Sequence, residues 1–213
     1  MPRCIIFDLD GTLTDSGEGI INCAALALRH FGLPVPDRQT MGAFVGPPLR
    51  QTFVKFGVPE EKAEEAVAVY RSRYTTVGKY ENTPYEGIRQ VLEELQRRGY
   101  LLYVATAKPE EMAIDILHKF DLARFFAKIC GASMDASRDS KALILTYLLS
   151  QLPAEAKKGP VMVGDTAFDV IGAAAHGIPT VGVRWGYGSA EELEAAGAVC
   201  ILEKPCDLLT YFA

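Results

Sequence analysis

No apolar run in this chain approaches the length of a membrane span. The apolar part of the opening stretch MPRCIIFDLD is too short for a secretory leader. Positive charge is in short supply: 22 Lys and Arg stand against 27 Asp and Glu, a formal net charge of −5. A phosphate backbone needs a basic footprint, so a nucleic-acid partner is not expected, whereas a small anionic ligand needs only local positive charge. The five cysteines are odd in number and scattered, with no Cys-x-x-Cys pair. Cys4, Cys130 and Cys200 stand in apolar, strand-like runs and are expected to be buried free thiols, which suits a reducing cytoplasm. GxSxG, Walker A and HExxH patterns are missing, and the glycines of GYGSAE (Gly186–Glu191) lack the third glycine of a dinucleotide fingerprint. His30, His118 and His176 fall within helical patterns, and none is assigned a chemical role. There is no internal repeat and no low-complexity segment.

Short runs apolar on both faces recur through the chain. They are CIIFD (Cys4–Asp8), YLLYVAT (Tyr100–Thr106), AKICGA (Ala127–Ala132), PVMVGD (Pro160–Asp165), PTVGV (Pro179–Val183) and AVCIL (Ala198–Leu202). Strands of a parallel sheet covered by helices on both sides read this way. Between them lie helical patterns such as YEGIRQVLEELQRRG (Tyr85–Gly99), with apolar residues at i, i+3 and i+4 and a closing glycine. The alternation predicts an α/β fold with an open parallel sheet. One interval breaks it: from about Gly17 to Pro84 no strand is evident, only helical patterns punctuated by GLPVPD and VGPPL. A connection of that length must carry its own structure. The expected division is therefore 1–16 with 85–213 as a core, and 17–84 as an inserted all-helical domain after the first strand.

In open parallel sheets ligands bind beyond the carboxyl ends of the strands. Asp8 ends the first run, Thr106 the second and Asp165 the fourth, with Asp10 and Asp169 close behind. Three strand ends would thus gather four carboxylates at one rim. Such a group repels itself unless a counter-ion is present. A hard dication resolves this, and Mg²⁺ accepts a few carboxylates while keeping water and phosphate oxygens as its other ligands. An EF-hand reading of DLDGT fails: glycine comes at the fourth position and not the sixth, the twelfth is Gly19, and a strand precedes the loop.

FDLDGTLTDS, VATAKP (Val104–Pro109), RDSKALIL (Arg138–Leu145) and VGDTAFDVIGAAAHGIPTVGVRWGYGSAEEL together resemble the four motifs of the haloacid dehalogenase superfamily of phosphotransferases. The insertion, with FVGPPL inside it, is similar to the helical cap of the phosphoglycolate phosphatase and 5′-nucleotidase-like subgroup. The resemblance implies a Rossmann-like parallel-sheet core, flanked by helices, with that cap. It implies Asp8 as a nucleophile forming an aspartyl-phosphate, and Asp10 as the acid and base serving leaving group and water. Mg²⁺ would be held by Asp8, the backbone carbonyl of Asp10, and Asp165, with Asp169 as a ligand or as the partner of Lys141. Thr106 and Ala107 would meet the phosphoryl oxygens. The phosphate-binding lysine would be Lys141, but Ala142 stands where many relatives carry proline, which leaves Lys108 as a rival.

Asp139 or Ser140 is expected to cap the helix that Lys141 begins. Ser189 and Glu192 form a capping-box pattern, and RWGYGS (Arg184–Ser189) is read as part of the entrance or, equally, as placing Trp185 over the cap hinge. Arg50, in GPPLRQTF of the inserted region, is the candidate for a carboxylate or second phosphate of the substrate. The expected activity is Mg²⁺-dependent hydrolysis of small phosphomonoesters in the cytoplasm, phosphoglycolate first and nucleoside monophosphates next. A sugar-phosphate mutase and a non-catalytic phospholigand-binding protein are the alternatives. Nothing in the sequence selects monomer or homodimer.

Overall fold

The computed structural model describes residues 4–135, 137–154, 156–157 and 159–213. In chain order the elements are β1 (Cys4–Phe7), β2 (Thr14–Asp15), α1 (Gly17–His30), α2 (Arg38–Met41), α3 (Leu49–Lys55), α4 (Ala63–Tyr74), β3 (Thr83–Pro84) and α5 (Ile88–Arg97). They continue with β4 (Leu101–Pro109), α6 (Glu110–Lys119), β5 (Lys128–Ala132), α7 (Lys141–Gln151), β6 (Val161–Gly164), α8 (Ala167–Ala174), β7 (Thr180–Val183), α9 (Ala190–Ala196), β8 (Cys200–Leu202) and α10 (Asp207–Tyr211). The chain divides into two compact units: the part up to Thr14 together with Pro84–Ala213, and Asp15–Thr83.

The first unit carries a six-stranded sheet of order β5-β4-β1-β6-β7-β8, every pair parallel. The α/β reading of the sequence holds. β1 shows why its strands are apolar throughout. Ile5 and Phe7 pack with Leu102 and Val104 against Val91, Leu92 and Leu95 of α5 and Ile116 and Leu117 of α6. Cys4 and Ile6 point the other way, with Tyr103, Ala105 and Cys130, toward Ile144, Leu145 and Leu148 of α7. Period-2 alternation therefore delivers apolar side chains to two buried faces instead of one. The strand order reverses between β1 and β6, with β4 and β5 laid outward on one side and β7 and β8 on the other. That reversal opens a crevice beyond the carboxyl ends of the central strands.

The second unit is built from α1 to α4 and short 3-10 turns. Its core is aromatic: Phe44 lies against Phe53 and Phe56, with ring centroids 4.9 and 4.6 Å apart, and Tyr70 stacks on Tyr74 at 5.1 Å. Arg73 and Glu81 close it with two hydrogen bonds of 2.7 Å.

Three expectations are corrected here. Thr106 does not end its strand, because β4 runs on to Pro109. His176 lies beyond α8, whose last residue is Ala174. Cys200 is half-buried, while Cys4 and Cys130 are buried free thiols.

Candidate active site

The stretch after β1 folds back on itself. Leu13 and Thr14 both donate backbone N–H groups to Leu9 O, and Gly11 N donates to Thr14 O. Gly11 takes a left-handed backbone with φ of 79°, and a Cβ there would lie 2.0 Å from Asp165 Oδ2. Only glycine meets both demands. Thr12 uses the same turn twice: its Oγ1 donates to Asp165 Oδ1 at 3.2 Å, and its carbonyl accepts from Trp185 Nε1 at 3.0 Å. The DGT sequence is therefore the hardware that brings the β1 and β6 ends together.

Asp8, at the end of β1, accepts on Oδ1 from Leu9 N at 2.7 Å and from Lys141 Nζ at 2.9 Å. Lys141 also reaches Asp169 Oδ1 at 2.8 Å and donates to Ala105 O at 2.7 Å. Asp169 uses its other oxygen to accept from Thr166 N and Oγ1, completing the capping box at the start of α8. Asp165 is held by Thr12 and by Tyr187 N at 2.9 Å. Asp8, Asp165 and Asp169 are all buried, with one oxygen from each within 4.8 Å of the others. Three of the four carboxylates that the sequence pointed to thus converge with Lys141.

Burial pushes the Asp8 carboxyl up to about 6 against the opposing pull of Lys141. Burial, and then the charges of Asp169 and Asp8, raise Asp165 well above the usual carboxylate range. Burial by itself would lower Lys141, yet Asp169 and Asp8 outweigh it and hold the ammonium above its ordinary value. Three buried carboxylates face one buried ammonium, an imbalance of negative charge that fits a dication with oxygen ligands.

Asp10 stands apart from this cluster. Its Oδ2 pairs with Lys108 Nζ at 2.8 Å, both side chains being buried, and its buried Oδ1 has no hydrogen-bond partner among the described residues. Thr106 is buried on β4 beside β1, and its Oγ1 accepts from Lys108 N at 3.3 Å. The two lysines that the sequence left as rivals serve different acids, Lys141 the cluster and Lys108 Asp10. Arg50 lies in the other unit, where its guanidinium is 3.3 Å from Glu64 and 3.6 Å from Glu60.

A family model described as haloacid dehalogenase-like hydrolase matches residues 5–183. The chain belongs to the haloacid dehalogenase-like hydrolases. Over 200 residues it is 44% identical to the tyrosine-protein kinase PtkA of Mycobacterium tuberculosis, covering 94% of this chain and 68% of that one. Over 192 residues it is 42% identical to a 5′-nucleotidase of Pseudomonas aeruginosa, covering 90% and 86%. The crystal structure of a predicted phosphatase from Clostridium acetobutylicum superposes with a TM-score of 0.93 at 37% identity, over 100% of this chain and 98% of that one.

In this haloacid dehalogenase-like hydrolase, part of the site escaped sequence reasoning. Trp185 and Tyr187 anchor the segment that holds Asp165, where an entrance was expected. Gly186 and Gly188 leave room for that carboxylate's residue: a Cβ at Gly186 would lie 2.3 Å from Asp165 Cβ, and one at Gly188 2.0 Å from Asp165 O. Gly164 and Gly172 do the same for Asp169 and Lys141, each with a nearest side-chain atom 2.4 or 2.5 Å from the missing Cβ. The available signal was the density of glycine around GDTAFD and RWGYGS, which a search for fingerprint spacings passes over.

Proposed function

We propose that this phosphatase of the haloacid dehalogenase-like family hydrolyses small phosphomonoesters through a phosphorylated Asp8, with Mg²⁺ as cofactor. The observation that carries the reading is the Asp8 carboxylate, buried at the end of β1 and held by Lys141 within a cluster of two further acids. Asp8 attacks phosphorus, and the bond from phosphorus to the leaving oxygen breaks. Asp10 hands its proton to that oxygen. Asp10 then takes a proton from water as the water attacks the acyl phosphate, releasing inorganic phosphate and restoring Asp8. Thr106 and the Ala107 backbone orient the phosphoryl oxygens, and Lys141 offsets their charge. Asp8, Asp165 and the carbonyl of Asp10 would hold Mg²⁺, with Asp169 beside them steadying Lys141. When bound, the ion supplies charge stabilisation to the transferring phosphoryl group.

Among substrates, nucleoside 5′-monophosphates come ahead of phosphoglycolate. The likeness to a 5′-nucleotidase supports this order, and so does Arg50, since two glutamates already compete for the cation that a phosphoglycolate carboxylate would need. The likeness to a tyrosine-protein kinase supports a second reading, in which a tyrosine hydroxyl replaces water as the acceptor of the same phosphoryl group. One experiment separates them. Purified protein with Mg²⁺ is given nucleoside monophosphates, phosphoglycolate, an aryl phosphate and labelled ATP. Release of inorganic phosphate from the monoesters, abolished in Asp8→Asn, is expected. Label passing from ATP to protein tyrosine with no monoester hydrolysis would favour the second reading and sink the first.

A further inference from the structure

β4 and β5 fall out of step beside the site. Thr106 pairs with Gly131 and Pro109 with Ala132, so Ala107 and Lys108 are two extra residues on β4. A bulge of this kind bends a strand and re-aims its side chains. Here it brings Lys108 N to Thr106 Oγ1 and Lys108 Nζ to Asp10 Oδ2.

The partner strand is fitted to the bulge. A Cβ on Gly131 would lie 2.5 Å from Lys108 O and 2.6 Å from Glu110 Cα, so only glycine admits the displaced backbone. Side chains take both backbone groups of Gly131: its N–H donates to Glu110 Oε2 at 3.1 Å, and its carbonyl accepts from Arg138 Nε at 2.8 Å. Arg138 Nη2 donates to the same Glu110 oxygen at 3.0 Å, and its guanidinium lies 3.8 Å from the Tyr147 ring centroid on α7. Glu110 is the first residue of α6, immediately after Pro109. One planar guanidinium thus ties the bulge's exit, the facing strand and α7 together, a task for a fixed fork of donors and not for a point charge.

We propose that Glu110, Gly131 and Arg138 form a clamp that sets the Ala107–Lys108 bulge, making Lys108 and Arg138 positioning residues for Asp10. The role of Asp10 rests on the phosphatase reading above. With Oδ2 pinned by Lys108, Asp10 keeps one orientation and presents Oδ1 for proton transfer. Without the pin a buried carboxylate turns about its side-chain bonds, and a misplacement of about 1 Å costs on the order of a hundredfold in rate.

The test compares Arg138→Met, Arg138→Lys, Glu110→Gln and Lys108→Met on an alkyl phosphate and on an aryl phosphate with a good leaving group. Arg138→Met and Lys108→Met should lower kcat on the alkyl ester roughly ten- to a hundredfold, with KM changed by less than about twofold and a smaller loss on the aryl ester. Glu110→Gln should move the same way, and Arg138→Lys should recover part of the loss. A rise in KM shared by both esters would make Lys108 a phosphate grip and overturn the proposal, as would unchanged kinetics. A crystal structure of Arg138→Met gives a readout free of turnover: Lys108 should have left Asp10, and a bulge with that contact intact overturns the clamp. A wild-type protein inactive on both esters would sink the phosphatase reading, while the Arg138→Met structure would still decide the clamp.

Discussion

Lys141 and Asp8 share one buried spot, and the charge of each is tolerable there because of the other. Lys141→Met would leave Asp8 and Asp169 without their ammonium. Breaking a buried pair from one side costs about 3–5 kcal/mol, so the metal-free variant should unfold at lower denaturant as well as losing turnover. Equal denaturant midpoints for the variant and the wild type would contradict the electrostatic account of Lys141. The cysteines give a prediction away from the site. Burial pushes the Cys4 thiol up to about 12 and Cys130 up to about 11, whereas Cys206 is exposed. A thiolate-directed reagent at about pH 8 should label Cys206 first and reach Cys4 and Cys130 only after unfolding. Fast labelling of Cys4 in the native protein, located by peptide mapping, would refute that burial.

Among the elements, α7 and the segment after β7 carry the precision of the site. Ser140 caps α7, its Oγ accepting from Leu143 N at 3.3 Å, so the sequence reading of either Asp139 or Ser140 resolves to Ser140. Ser140→Ala should cost about 1 kcal/mol and loosen the turn that starts with Lys141. Differential unfolding of the two proteins checks this, and an unchanged midpoint would remove Ser140 from the cap. Gly186→Ala is the sharper probe, since its methyl would collide with Asp165 and with Gly11 O, 2.4 Å from the built position. Expected is a loss of Mg²⁺ affinity of roughly ten- to a hundredfold with the far-ultraviolet spectrum unchanged, as when a residue that orients a ligand is altered. Normal affinity would show that Asp165 can move without consequence. The capping box of Ser189 and Glu192 was legible outright, and both reciprocal bonds are present, because its parts lie within one turn.

At the scale of the whole molecule, metal binding should couple to folding. A ligand that binds only the folded state stabilises it by about 2.7 kcal/mol at a hundredfold excess over Kd. Mg²⁺ should therefore raise Tm for the wild type and leave Asp165→Asn unmoved, a calorimetric result independent of turnover. A rise of equal size in the variant would place the ion elsewhere. Arg50, in the helical unit Asp15–Thr83, is the residue that the sequence offered for a second anionic group of the substrate. Arg50→Ala should leave an aryl phosphate and a nucleoside monophosphate equally well hydrolysed, its guanidinium being occupied by Glu60 and Glu64. A selective loss on phosphoglycolate, on the order of ten- to a hundredfold in kcat/KM, would restore Arg50 to substrate binding and promote phosphoglycolate.

The chain's order of apolar runs already determined a parallel sheet, since strands buried on both faces must be apolar at every position, as Cys4–Phe7 is. It also put Asp8 and Asp165 at the carboxyl ends of strands, hence at one rim, while the neighbouring places of β1 and β6 came only with the sheet order. What the sequence could not decide was which acid each lysine serves, where β4 ends, and why glycine crowds around Asp165. Those depend on two extra residues in β4 opposite Gly131 and on backbone approaches between segments more than 150 positions apart, such as Gly11 and Asp165. Periodicity reports which face a residue turns to. It carries no record of the register between strands or of the space a missing Cβ leaves, and both arise only when the sheet closes and its two halves press their loops together.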